Sequence, residues 1–366
     1  MTEDEIWFWL CSAKGIYQDA IGRLLAAFGS VKEIYDRDMS GLIKSGLIRK
    51  DQAKSLIDEK AKGDFRLKYE KMKKAGIDFV HFESENFPEK LKTIPAHPYC
   101  LYVKGRLPDP NLPSCAIVGA RACSEYGKKE AVAFSSFLAE NGVQIISGMA
   151  SGIDSIAQNA ALDSGGMTFA VLGGGVDVIY PAENTVLYYR IIEEGGGIIS
   201  EYPPGCAPLA WQFPHRNRII SGLADKLLIM EARKRSGTLS TARHALDQGR
   251  DIYALPGRIT DPLSAGCNEL IYDGAGILTN PSYILNDFFS GSEAGDKPLL
   301  CKDSGSASDE SFDETGLLKY LSFHAQRLDD IAKRAGLDIE ETAVKLALLE
   351  LYGRAKEVGK DFYVRI

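Results

Sequence analysis

From about residue 63 to 290 the sequence alternates short apolar runs with longer amphipathic stretches, and this alternation constrains the fold more than any other feature. Strands are predicted at 77–81, 100–104, 115–118, 143–147, 167–172, 197–200, 226–230, 251–255 and 276–278. Helices are predicted at 65–75, 124–140, 153–163, 183–194, 237–248, 267–273 and 281–288. Apolar strands separated by helices imply a mainly parallel sheet covered on both faces, a doubly wound α/β domain.

The flanks have a different texture. Residues 1–62 are predicted to be all helical, with LLAAFGS, MSGLIKSGLI and KDQAKSLIDE broken at Gly29, Gly41 and Gly46. That pattern suits a small bundle of the sterile-alpha-motif or helix-hairpin-helix kind. With ten basic and ten acidic residues in this segment, no strong field for DNA results, and a packing or interaction module is expected. Residues 291–311 are rich in Ser, Gly and acid, which predicts a flexible linker. Residues 312–366 read as helices at 313–322, 327–335 and 338–352 followed by a hairpin, a winged-helix pattern. Gly336 falls in the helix-helix turn, Leu346, Ala347 and Leu349 face the expected core, and Gly353 and Gly359 are the hairpin's turn candidates. Protein contact and DNA binding are both open for this unit, whose net charge is -1 from nine basic and ten acidic residues.

Composition removes several function classes. No apolar run approaches the ~18 residues that span a bilayer, and the acidic MTEDEIWFWL start carries the wrong charge for a secretory signal. A cytoplasmic protein without membrane contact is expected. Seven cysteines without a C-x-x-C pair and five dispersed histidines predict reduced, mostly buried thiols and no metal site. A net charge of -7 argues against non-specific nucleic-acid binding by the whole surface, which leaves a local basic patch as the alternative.

Four segments fall at the carboxyl ends of predicted strands, where open α/β sheets bind ligands. In AIVGARACSEYG, Gly119 opens a turn like that of dinucleotide-binding folds, but Arg121 and Ser124 replace the second and third glycines. A helix starting near Ser124 would aim free N–H groups at a phosphate, and Arg121 would add a donor fork. Tyr126 offers a stacking face and Gly127 follows it. In SGMASGIDSIAQNAAL, Ser147 and Gly148 end a strand, and Asp154 is either a first-turn cap or a ligand contact. VLGGGVDVIYP permits close backbone approach. FPHRNRIISG and EARKRSGTLSTA supply Arg216, Asn217, Arg218, the run Arg233–Lys234–Arg235, and Ser236, Gly237 and Thr238 at a helix start. At least six cations, with no acid adjacent to Arg216 or Arg218, are thereby expected on one rim of the sheet. Several spaced cations with an aromatic describe a single strand better than one nucleotide.

The ordered motifs AIVGAR…YG, SGMASGID, AVLGGGVDVIYP, SEYPPG, FPHRNRIISGL, EARKRSGTLSTA and YALPG resemble those of the DNA-processing protein A family, densely over residues 80–280. The resemblance implies an extended Rossmann-like core and a non-enzymatic protein of natural transformation, needing no cofactor. Such a protein shields incoming single-stranded DNA, helps load the RecA recombinase onto it, and dimerises through its core. It implies DNA contacts at Gly119, Arg121, Tyr126, Gly127, Ser147, Gly148, Arg216, Asn217, Arg218, Ser236, Gly237 and Thr238. One departure stands out: Gln158 replaces the histidine usual in the family's GIDxxAH, an exchange a binding fold should tolerate.

Two enzymatic readings compete. A nicotinamide-dependent oxidoreductase needs G-x-G-x-x-G and a ribose-binding acid, and Arg121 and Ser147–Gly148 stand in their places. A lysine-decarboxylase-like phosphoribohydrolase needs P-G-G-x-G-T-x-x-E. Here Arg233–Ser236 replace P-G-G-x, and Thr241 stands where the catalytic Glu belongs.

Overall fold

A capping box opens the chain: Thr2 Oγ1 accepts from Glu5 N at 3.3 Å and Thr2 N donates to Glu5 Oε2 at 2.8 Å. Six helices follow: α1 (Glu3–Ser12), α2 (Gln18–Phe28), α3 (Val31–Asp36), α4 (Met39–Lys44), α5 (Lys50–Lys62) and α6 (Asp64–Lys74). The computed structural model describes residues 1–289, 316–321, 326–351, 354–359 and 361–365. They pack as two units, Met1–Ser292 and Glu293–Ile366. Gly29 and Gly46 take positive φ at helix ends as expected, whereas Gly41 lies inside α4 and punctuates nothing.

The alternating region contains β1 (Ile77–His81), α7 (Glu89–Lys92), β2 (Cys100–Gly105), β3 (Ser114–Val118), α8 (Glu125–Glu140), β4 (Gln144–Ser147), α9 (Ile153–Asp163), β5 (Thr168–Val171) and α10 (Thr185–Glu193). It continues through β6 (Gly197–Ser200), α11 (Gln212–Leu223), β7 (Lys226–Ile229), α12 (Thr238–Asp247), β8 (Asp251–Ala254), α13 (Ala265–Tyr272), β9 (Gly276–Ile277) and α14 (Pro281–Phe289). The sheet runs β1-β2-β6-β5-β4-β3-β7-β8-β9, antiparallel at the β1–β2 and β2–β6 edges and parallel from β6 to β9. This is the doubly wound α/β fold. Strands β3 to β7 are buried along their whole length, which is why they read as continuous apolar runs. The chain winds outward from β3 to β6 and then returns to place β7 on the other side of β3. The switch point therefore lies between Val118 and Ile229.

The N-terminal helices share the sheet's core. Trp7 stacks on His81 at 5.2 Å, and Phe8 meets Phe79 at 5.4 Å edge-on. One apolar cluster runs from Ile6 through Phe79 and Tyr102 to Ile198, so the segment read as separate over residues 1–62 is welded to the sheet.

Helix α11 was not anticipated. QFPHRNRIISGL carries no amphipathic stripe because it is buried on several sides, including at Arg216 and Arg218. Among the described residues, no helix is long and apolar enough to cross a membrane, and no group of three His, Cys, Asp or Glu could hold a metal.

In the second unit, α15 (Leu328–Ala335) and α16 (Ile339–Leu351) flank Gly336 at φ 68°. β10 (Gln326–Arg327), β11 (Ala355–Gly359) and β12 (Phe362–Arg365) form an antiparallel sheet in the order β10-β12-β11. This is a winged-helix arrangement. Leu346 and Leu349 are buried, but Ala347 is exposed, and the left-handed residue of the hairpin is Asp361 at φ 63° rather than Gly359. Of the helix expected over 313–322, the described part is a 3-10 turn at Leu318–Tyr320. The linker over 291–311 and Gly353 lie outside the described residues. Because Gly336 alone avoids a Cβ penalty in its conformation, Gly336→Ala is expected to cost the unit about 1–2 kcal/mol, read as a lower thermal midpoint.

Candidate nucleic-acid interface

A cleft of about 600 Å³ opens at the switch point and is lined by Gly119, Arg121, Asp154, Phe213, Arg216, Asn217 and Ser236–Thr238 among others. Its floor depends on two turns packed backbone to backbone. A Cβ on Gly119 would lie 2.6 Å from Ile153 Cγ1, and one on Gly152 would lie 2.3 Å from Arg121 O. Ile153 N donates to Ala120 O at 3.2 Å across the same seam.

Arg216 is the buried cation of the cleft, only 4% exposed. Its Nη1 donates to Gly148 O at 2.9 Å and also to Val171 O, while its Nε has no partner among the described residues. Gly148 is needed here for close approach, because a Cβ would sit 2.7 Å from both Arg216 Nη2 and Asp154 Oδ2. Burial pulls the Arg216 guanidinium down to about 10, with Arg121 pulling the same way and Asp154 opposing, so it stays charged at neutral pH. Burial likewise holds the Asp154 carboxyl above its ordinary value, opposed by Arg216 and by backbone donors. Asp154 accepts from Gly148 N at 3.1 Å, which makes it a brace for the second turn.

Arg121 is exposed on the cleft wall with its guanidinium carbon 5.5 Å from the centre of the Phe213 ring. Tyr180, half exposed, lies 5.5 Å from Phe213. Asn217 is oriented by Ser240 at 2.9 Å. Ser236 Oγ accepts from Thr238 N at 3.2 Å, and Thr238 Oγ1 donates to Gly119 O at 3.1 Å, which docks the start of α12 against the first turn. Open space surrounds Gly237, so no close contact imposes a glycine there. The N-terminus of α12 thus meets Arg121 and Arg216 across one cleft, an arrangement suited to phosphate oxygens.

Several expected contacts lie elsewhere. The helix start at Ser124 is already occupied by a carboxylate. Glu231, 1% exposed, accepts from Ser124 N at 3.0 Å and from Ser124 Oγ at 2.5 Å. Gly127 makes room for that acid, since a Cβ would lie 2.3 Å from Glu231 Cδ. Tyr126 donates to Pro256 O at 2.9 Å, and neither Tyr126 nor Gly127 lines the cleft. Ser147 is fully buried and ties β4 to β3 through Ile117 O at 2.6 Å.

Arg218 is two positions beyond Arg216 on a helix and so points the other way. It is buried behind the cleft, donating to Glu201 Oε2 at 2.5 Å and to Gln18 Oε1. No acid is adjacent to it in sequence, but Glu201 reaches it from a distant strand end. Arg233, Lys234 and Arg235 are exposed but do not line the cleft. Of six cations expected on one rim, Arg121 and Arg216 are therefore the two that line this cleft. Gln158 lies on α9 beneath the sheet, donating to Phe169 O at 3.1 Å, away from the cleft. Phe213, Tyr180 and Glu231 were missed, although Phe213 and Glu231 sit inside FPHRNR and EARKRSG.

Residues 78–289 match the family model described as DNA recombination-mediator protein A, and residues 302–359 match the DprA winged helix domain. Protein Smf of Escherichia coli strain K12 is 36% identical over 367 residues, covering 100% of this chain and 96% of the relative. DNA processing protein DprA of Streptococcus pneumoniae strain R6 is 44% identical over 202 residues, 55% of this chain and 71% of the relative. The X-ray structure of DprA from Streptococcus pneumoniae matches with a TM-score of 0.67 and 33% identity, covering 78% of this chain and 98% of that one. A structure of DNA processing protein A from Helicobacter pylori, concerned with its single-stranded-DNA binding mode, matches with a TM-score of 0.52 and 31% identity over 59% of this chain and 96% of that one.

Proposed function

This chain belongs to the DNA recombination-mediator protein A family, and from that premise we propose that it binds single-stranded DNA in the cleft at the β3–β7 switch point. The observation that carries the reading is the convergence of Arg121, buried Arg216 and the α12 N-terminus on one cleft with the rings of Phe213 and Tyr180. Two cations and a helix start hold phosphates, and the rings offer base-stacking faces that tolerate any sequence. The homologous protein of Helicobacter pylori, studied for the same ligand, supports the choice.

The wider role follows the family: handling of DNA taken up in natural transformation, with loading of the RecA recombinase onto the bound strand. The protein acts in the cytoplasm as a homodimer formed through its α/β core, and it acts without catalysis. In support of the last point, Thr241 lines the cleft where a phosphoribohydrolase would present its acid, and Asp154 is engaged by backbone donors. Release of free base from a nucleoside monophosphate, with turnover, would overturn it.

The test is a salt series of oligo-dT binding by gel shift. Arg121→Ala is expected to weaken binding by about 1–3 kcal/mol and to flatten the log-log salt dependence by about 0.7, the share of one phosphate on a single strand. Binding indifferent to both salt and Arg121 would sink the proposal. Arg218→Ala is expected to leave the salt slope unchanged, because its charge serves Glu201.

A further inference from the structure

Behind the cleft lies a second cavity of about 300 Å³, between the start of α2 and the chain from Glu201 to His215. We propose that this cavity seats a nucleobase of the same DNA strand, on the reading that the cleft holds its phosphates. The two spaces share one wall a single chain thick. Along it Pro208, Ala210 and Phe213 line the cleft, while Leu209, Trp211 and Gln212 line the cavity. A strand that follows the phosphate donors can therefore turn a base over this wall without leaving the protein.

The cavity has the chemistry of a base slot. Trp211 stands perpendicular to Tyr17 (5.8 Å, 83°) and to Tyr202 (6.0 Å, 85°), and all three rings line the cavity. Trp211 is 49% exposed and Tyr17 55% exposed, an aromatic pair at the mouth that serves no core. Base stacking on such faces is independent of sequence. At the back, Arg218 Nη2 clamps both Gln18 Oε1 and Glu201 Oε2. With Gln18 Oε1 taken by Arg218, its amide NH₂ remains as a donor and the Glu201 carboxylate as an acceptor, and both residues line the cavity. A fixed donor next to a fixed acceptor complements the hydrogen-bonding edge of a nucleobase. Exposed Lys14 on the same lining can meet the phosphate that accompanies the base. The volume suits one ring system rather than a peptide.

The experiment uses the full chain and its tryptophan fluorescence. Trp7 and Trp9 are enclosed, so quenching by added oligo-dT reports on Trp211. Quenching is expected with the intact protein and is expected to vanish in Trp211→Phe. An oligonucleotide carrying 5-iodouracil is expected to cross-link to Tyr17 or Trp211 on irradiation. Tyr17→Ala, at an exposed site, is expected to weaken oligo-dT binding about five-fold with an unchanged salt slope, since a stacked base contributes no counterion release. Unquenched tryptophan, quenching that survives Trp211→Phe, or full affinity in Tyr17→Ala would overturn the cavity proposal. If Arg121→Ala still weakens binding in those cases, the reading of the cleft survives. If it does not, that reading falls as well.

Discussion

Replacing Glu201 by Ala is expected to destabilise the first unit by about 3–5 kcal/mol in denaturant unfolding, the range for stranding a buried charge. Arg218 is 2% exposed, and its Nε and Nη1 already have no partner among the described residues. Among the described residues only Nη2 is bound, and Glu201 is the one acid it meets. Asp19 and Asp247 act on His215 and His244 nearby, but among the described residues neither forms an ion pair with Arg218. His97, His215 and His244 lie close enough that burial first, and then the Arg218 charge, lowers the value of each ring. Removing the carboxylate therefore leaves a desolvated guanidinium among neutral imidazoles. The double variant Glu201→Ala/Arg218→Met is expected to recover a large part of the loss, because both charges leave together and an apolar chain fills the space. A loss below 1 kcal/mol in the single variant, or no recovery in the double, would refute the account. DNA binding is expected to weaken in Glu201→Ala as well, since α11 carries Arg216 one half-turn away.

Gly152→Ala is expected to cost about 3–5 kcal/mol and to abolish oligonucleotide binding at concentrations that saturate the parent protein. Gly152 sits at φ 80°, ψ -131°, a region that L residues enter only at a cost of about 1–3 kcal/mol. Its Cβ would also lie 2.3 Å from Arg121 O and 2.4 Å from Ala120 O, both backbone atoms that cannot swing aside. Overpacking adds about 1–3 kcal/mol, and its relief must push the Arg121 turn out of the cleft. Gly165→Ala is the control, with φ 74° and nothing within 4 Å of its Cβ. It shares the positive φ without the collision and is expected to keep full DNA affinity. Equal behaviour of the two variants would remove the structural argument for the seam between the turns.

The sequence made the sheet legible because buried parallel strands have no polar face to disguise them. It made α11 illegible for the mirror reason: a helix enclosed on several sides shows no stripe, so FPHRNRIISG showed only its basic residues. That error carried a second one. With no helix expected there, Arg216 and Arg218 could share a rim; on a helix, two residues apart, they cannot. Glu201, which answers Arg218, lies 17 positions away at the end of another strand, and no local pattern announces such a pairing. The first turn misled differently. VGARACSEYG has the residues of an anion site, but the anion is Glu231, 107 positions later. Gly119, Arg121, Arg216, Asn217 and Ser236–Thr238 come together in the cleft because short motifs at strand ends keep their neighbours in three dimensions.

Glu231 has a consequence for selectivity. A dinucleotide-type turn exposed inside a cell would face a high concentration of free nucleotides, each able to offer a phosphate to the N-terminus of α8. Here the chain supplies its own competitor, tethered in place with Ser124 hydrogen-bonded to both oxygens. A group held that way acts at an effective concentration no dissolved metabolite approaches. At that helix start the chain's own carboxylate stands where a mononucleotide phosphate would, so on the proposed reading of the cleft the selection of a polymer falls to Arg121 and Arg216.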